Sequence, residues 1–206
     1  MEITLVSITP KAEKVIEEAA RTSYLSFNRM DEDITPSFIR MLIKNGHHSV
    51  LEHAYATFRI KGISRASTHQ LVRHRIASFT QQSQRYVDEK NFVYITPDSV
   101  KKDPEALKFF TETMVELKDV YTKLRSMKIR KEDARYILPN AISSEIVISA
   151  NMREFRRIFE LRCEKKAQWE IRRACLDMLN QLKEFCPNVF YDMNLDNDKE
   201  IMIKEQ

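Results

Sequence analysis

A chain of 206 residues, 43% hydrophobic and 31% charged, has the composition of a globular protein and the length of one domain, residues 1–206. Its 34 basic side chains against 30 acidic ones leave a net charge of +4, too little for a dedicated nucleic-acid binder. With only two glycines, Gly46 and Gly62, it has no glycine-rich phosphate cradle, so a bound nucleotide must be held by side chains.

No apolar run approaches the roughly 18 residues that would span a bilayer. The opening MEITLVSITP has neither a basic n-region nor a cleavable apolar core, so no signal peptide is expected. Cys163, Cys175 and Cys186 are odd in number and fall on predicted helices without a CxxC pair. That pattern suits reduced thiols in a cytoplasmic protein.

Residues 2–8 read as a first strand. Thr9-Pro10 looks like an N-cap with proline at the first helical position, opening a helix to about Arg21. Thr35-Pro36 repeats that signal, and Gly46 ends the second helix. After a short HHSVLEH turn, AYATFRI alternates as a strand to Lys61. Ser64 caps a helix through about His74, and the rest of the arginine-rich segment reads as loop to Tyr86. FVYI at 92–95 reads as a short strand.

Asp103-Pro104 opens the longest helix. Leu107, Phe110, Met114, Leu117, Tyr121 and Leu124 recur along it at gaps of three and four, the pattern of a core helix. Residues 131–136 form a helical turn and EIVIS at 145–149 a buried-type strand. Asn151 caps a helix through Cys163, a last helix runs from about Gln168 to Phe185, and a polar tail follows. These elements predict a helix-rich α/β or α+β protein around a small, mostly antiparallel sheet.

Two features carry chemistry. The stretch Ser64–Arg85 holds Arg65, Arg73, Arg75 and Arg85 with no acid, interleaved with Ser, Thr and Gln donors. Guanidinium forks match phosphate and carboxylate geometry and stay charged at any relevant pH, so the stretch is suited to an anion. The second feature is Arg162. At a hundred degrees per residue, Phe155, Ile158 and Phe159 share one helix face and Arg162 falls in the middle of it. A snorkelling stem, a carboxylate partner or a ligand would each account for a charge there. Arg153 and Arg157, four apart on the other side, read from the residues alone as a solvated face.

RHRIASFTQQSQRY (73–86) resembles the signature of the flavin-dependent thymidylate synthases (the ThyX family), RHR followed by seven residues and a serine. AARTSY (19–24), NGHHSVLEH (45–53), ARYILP (134–139), SANMREFRRIFELR (149–162) and AQWEIR (167–172) resemble further blocks of that family in the family's order. The resemblance implies a homotetramer with FAD at subunit interfaces. It also implies methylation of dUMP to dTMP, with methylenetetrahydrofolate as carbon donor and NADPH as reductant, and no enzyme cysteine in the central chemistry.

Carried over position by position, the resemblance puts Arg73, His74, Arg75, Gln81, Asn151, Met152, Arg153 and Arg157 at FAD, with His47 and Ser49 near flavin and folate. Gln70, Leu71, Val72 and Arg73 would border dUMP, and Gln81, Gln82, Ser83, Gln84 and Arg85 would hold its phosphate. Arg135 would reach dUMP from another subunit. Arg162 would face the pyrimidine and, with Ser83, mark the catalytic positions, Ser83 acting as a simple hydrogen-bond donor. The chain departs from the family pattern at His48, Thr80, Gln81 and Arg157.

The rivals lack support in the residues. A nucleic-acid binder would need a long basic stripe, and a metal hydrolase would need an HxxxH pair or a nearby cysteine ligand. A cysteine-dependent synthase would need a base beside Cys186, which reads instead as a buried apolar residue.

Overall fold

The structure, a computed structural model, describes residues 1–204. Four antiparallel strands form the central sheet: β1 (Glu2–Ile8), β2 (Tyr55–Ser64), β3 (Ser78–Gln81) and β4 (Ser143–Asn151), in the order β1-β2-β4-β3. Strands β2 and β4 alternate as far as Lys61 and Ala150. Phe58 and Ile60 are buried on one side with Ile146 and Ile148, while Arg59 and Glu145 pair on the other. That period-two pattern turns one face of the sheet to the core and the other outward.

The helices are α1 (Ala12–Thr22), α2 (Thr35–Lys44), α3 (Arg65–Leu71), α4 (Asp98–Lys101), α5 (Pro104–Ser126), α6 (Lys131–Ala134), α7 (Met152–Arg162) and α8 (Trp169–Phe185). The core lies between the sheet and α1, α2, α7 and α8, where Ile16, Ile39, Phe155, Phe159, Ile171 and Met178 are fully buried. Phe155 meets Phe58 edge-on at 5.6 Å and stacks near Phe159 at 5.8 Å, which locks α7 to β2. The architecture is the expected helix-rich α+β arrangement with a small antiparallel sheet.

Several local expectations need correction. Thr9 does not cap α1: its N–H donates to Tyr55 O, and its Oγ1 accepts from Tyr55 N–H, both at 2.9 Å. The residue extends the sheet, and α1 starts at Ala12 after a left-handed Lys11. Helix α3 ends at Leu71 rather than His74. The expected loop contains an edge strand, β3, whose Ser78 and Thr80 point outward and hide the alternation. Residues 92–95 contribute only one bridge, Tyr94 to Ile142.

The polar tail carries strands as far as Lys204. β5 (Met193–Asp196) and β6 (Ile201–Lys204) form a hairpin, and Met202 N–H donates to Cys163 O at 2.9 Å, closing the end of α7. The predicted stripe on α5 is a core face only in part. Among its residues Met114 and Tyr121 are buried; Met114 joins a satellite cluster with Phe92 and Ile142, and Phe110 and Leu117 pack against it. Phe109, Val115 and Met127 on the same segment are exposed.

At the end of α2 the chain reverses through Gly46, whose φ of +76° lies in the left-handed region. Gly46 N–H donates to Ile43 O and His47 N–H to Leu42 O, a Schellman closure that delivers His47 and Ser49 to the surface.

Candidate functional site

Helix α3 is fixed at its start by a buried acid. The Glu170 carboxylate accepts from Ser64 N–H at 2.7 Å and from the Ser64 hydroxyl, while Ser64 Oγ accepts from Ser67 N–H. Glu170 opens α8, so the AQWEIR block clamps the element that leads into RHR. After Leu71 the backbone turns. His74 N–H donates to Leu71 O and Ala77 N–H to His74 O, so the His74 ring faces inward while Arg73 and Arg75 are exposed on either side. The side chain of Leu71 is enclosed by the core, Gln70 is half-buried and Val72 is exposed.

The charge on the apolar face of α7 finds its partners here. Arg162 Nε–H donates to His74 Nε2 at 3.0 Å and its Nη2 donates to Gln70 O at 3.2 Å. On the far side of the ring, His74 Nδ1 lies 3.5 Å from Glu154 Oε1, and both side chains are about 95% buried. Burial first, then the Arg162 and Arg157 charges, push the His74 pKa down to about 4. Burial also raises the Glu154 carboxyl, opposed by Arg157.

This shift fixes a sign. The unfolded chain protonates His74 near pH 6.5 and the folded chain only near 4, so the unfolded state binds more protons between those values. Stability that is full above pH 6.5 is expected to be lost as pH falls toward 4, by about 3 kcal/mol. Urea unfolding of the wild type and of His74→Gln between pH 4.5 and 7 checks this. The variant should lose that part of the slope, and an unchanged slope would count against a neutral buried ring.

A second group gathers beside the turn that follows β3. Gln81 is turned inward, donating to Thr68 Oγ1 at 2.8 Å and Ser144 Oγ at 3.1 Å. Gln82 donates to Glu89 Oε1 at 3.1 Å. Ser83, half-buried, accepts from Arg85 N–H through its Oγ, and its carbonyl accepts from Tyr86 and Val87. Gln84 is half-buried beside it. Arg85 is exposed and pairs with Glu132, whose carbonyl accepts from Arg135 Nε. Arg65 leans on the same turn through Gln82 O. Burial lowers the Arg65 pKa, with the Arg135 charge next in weight and Glu89 opposing. Two guanidinium groups this close mark a place for an anion.

A cleft of about 550 Å³ opens at the start of α7, lined by His48, Asn151, Arg153 and Arg157 among others. Asn151 caps α7 through Glu154 N–H, Arg153 pairs with Glu52 at the rim and Arg157 is exposed. Met152 sits inside the core with its N–H bonded to Ala54 O. His47 lines a separate cavity of about 600 Å³ with Tyr24 and Phe38, and Ser49 is exposed nearby.

The structure therefore collects Gln70, His74 and Arg162 in one place, Asn151, Arg153 and Arg157 in the adjoining cleft, and Arg85 and Arg135 on Glu132, with Gln82 held by Glu89. Sequence reading missed Arg65 as an individual position, although it lies inside the arginine-rich stretch. It also missed Glu89, Glu132, Glu154 and Glu170, the acids that hold the arginines and their turns. Cys163, Cys175 and Cys186 are free and buried, with burial raising the Cys163 thiol and pushing the Cys186 thiol up to about 12. Among the described residues no helix is long and apolar enough to cross a membrane.

Guanidinium groups gathered on an α+β frame without a glycine loop define a class: proteins that hold phosphorylated ligands through side chains. A family model described as "Thymidylate synthase complementing protein" matches residues 4–188. The chain is 42% identical over 192 residues to the flavin-dependent thymidylate synthase of Pyrococcus abyssi, covering 88% of this chain and 79% of that protein. It is 42% identical over 200 residues to the one from Geobacter sulfurreducens, covering 93% and 86%. The crystal structure of Thymidylate Synthase X from Helicobacter pylori with FAD and dUMP superposes with a TM-score of 0.78 at 25% identity, covering 93% of this chain and 98% of that one. The chain belongs to the flavin-dependent thymidylate synthase family, whose members are methyl-transferring enzymes.

Proposed function

We propose that this chain converts dUMP to dTMP, taking the one-carbon unit from methylenetetrahydrofolate and the reducing equivalents from NADPH by way of FAD. The observation that carries the reading is Arg162, a cation on an apolar helix face held by a neutral imidazole and a carbonyl. Neither partner cancels its charge, so the guanidinium keeps its field for a ligand. Facing the pyrimidine, it would stabilise a uracil that has lost its N3 proton and make C5 more nucleophilic.

The residues present fit FAD. The cleft at the start of α7 offers Arg153 and Arg157 to a diphosphate, and its volume admits a dinucleotide segment. When bound, the flavin supplies the hydride chemistry that no side chain provides. Arg65, Arg85 and Ser83 would hold the dUMP phosphate. Glu132 releases Arg85 to that task, because an exposed pair of this kind is worth little on its own. Burial raises the Cys163 and Cys186 thiols, which suits a scheme without a cysteine nucleophile.

A homotetramer of one-domain protomers, with Arg135 serving a neighbour's site, accounts for exposed Phe109, Tyr24 and Leu25 as subunit contacts. The purified protein is expected to be yellow and to release FAD on acid treatment. A colourless protein that takes up no added FAD and forms no dTMP would overturn the reading.

A further inference from the structure

We propose that Glu154 is a positioning residue: it holds the proton of His74 on Nδ1, and this presents Nε2 as the acceptor that aims the Arg162 guanidinium. The proposal rests on the reading of Arg162 given above. A guanidinium only donates, so the 3.0 Å contact from Arg162 Nε requires a lone pair on His74 Nε2. A neutral ring then carries its single proton on Nδ1, the nitrogen 3.5 Å from Glu154 Oε1. The ring has no room to choose otherwise. An Nε2–H tautomer would set two donors against each other and leave Glu154 facing a bare nitrogen.

Placement of the acid follows from the helix start. Asn151 Oδ1 accepts from Glu154 N–H at 2.9 Å, which fixes the Glu154 backbone in the first turn of α7, while Met152 N–H is tied to Ala54 O. From there the carboxyl comes within 3.5 Å of the ring's Nδ1 and is about 95% buried. A buried carboxyl needs a donor, and His74 Nδ1, 3.5 Å away, is placed to supply one. The charged groups acting on His74 are Arg162, Arg157 and Glu154, all from α7. The RHR turn and the C-terminal end of α7 are thus linked by one directed chain of donors, Arg162 to His74 to Glu154.

Nitrogen-15 NMR of the histidine-labelled protein without dUMP tests this, with His74→Gln assigning the resonances. The wild type is expected to show a protonated Nδ1 and an unprotonated Nε2 at His74. Glu154→Leu should depopulate that tautomer and lower kcat about tenfold, within the range orienting partners contribute, with KM for dUMP little changed. Glu154→Gln, which keeps a carbonyl acceptor, should restore the tautomer and most of kcat.

Wild-type His74 carrying its proton on Nε2 overturns the proposal, whether or not the leucine variant folds. So does an unaltered tautomer or kcat in a folded Glu154→Leu protein, or a Glu154→Gln protein as impaired as the leucine variant. The tautomer is read without turnover. Failure of the Arg162 reading itself shows separately, as dTMP formation surviving in Arg162→Ala.

Discussion

Arg162→Ala is expected to retain bound flavin and to lose dTMP formation by a factor of about a hundred or more, the range seen when one charge-stabilising donor is removed from a reacting centre. The guanidinium touches His74 and Gln70 but is not paired with an acid, so its removal leaves no buried carboxylate behind. The loss should therefore appear in kcat and kcat/KM with little change in the unfolding midpoint. Assay of dTMP beside a flavin spectrum and a urea curve separates these quantities. Turnover within tenfold of wild type, with flavin bound, would remove Arg162 from the chemistry.

Asp192→Ala is expected to have the largest effect on stability. Arg156 on α7 makes a two-pronged contact with Asp192, 2.7 Å on each arm, and also donates to Val189 O. Both side chains are more than 90% buried. Burial acts to raise the Asp192 carboxyl, but the Arg156 hydrogen bonds and charge outweigh it, so the net shift is downward and the acid stays ionised. Removing it strands a guanidinium in the core, at a loss of about 3–5 kcal/mol. Replacing both partners, Arg156→Met with Asp192→Leu, should recover most of that loss. A double substitution as unstable as the single one would show that packing, not the stranded charge, governs the site.

Much of the frame could be read in the residues because its signals are local. Ser64 and Asn151 sit at helix starts where their side chains accept from Ser67 and Glu154 N–H, and the caps stand as expected. Gly46 closes α2 in the left-handed turn that glycine favours. Thr9-Pro10 misled because the same hydroxyl that caps a helix can accept from a strand, and Tyr55 N–H took it. Strand β3 escaped notice because Ser78 and Thr80 are polar outward residues on an edge only four residues long. The hairpin of β5 and β6 is likewise short, with half-buried residues that give little alternation.

The site divides in the same way. Arg162 stood out from its own helix as a charge among Phe155, Ile158 and Phe159. Its partner lies 88 residues earlier, and pairing over that distance leaves no mark in either segment. Glu154 is an acid in the first turn of α7, where the helix dipole alone would account for it. Only the packing of the RHR turn against α7 gives it a second task.

The two glycines both sit on mirror-image backbone, Gly46 at φ +76° and Gly62 at the β2 bulge at φ +75°. Every other position bears a side chain beyond hydrogen, which narrows the conformers open to the denatured ensemble. Such a chain surrenders less freedom when it folds, by about 0.4–1 kcal/mol for each glycine it does without. Part of this chain's folding stability thus resides in the poverty of its disordered state, where no contact map can register it.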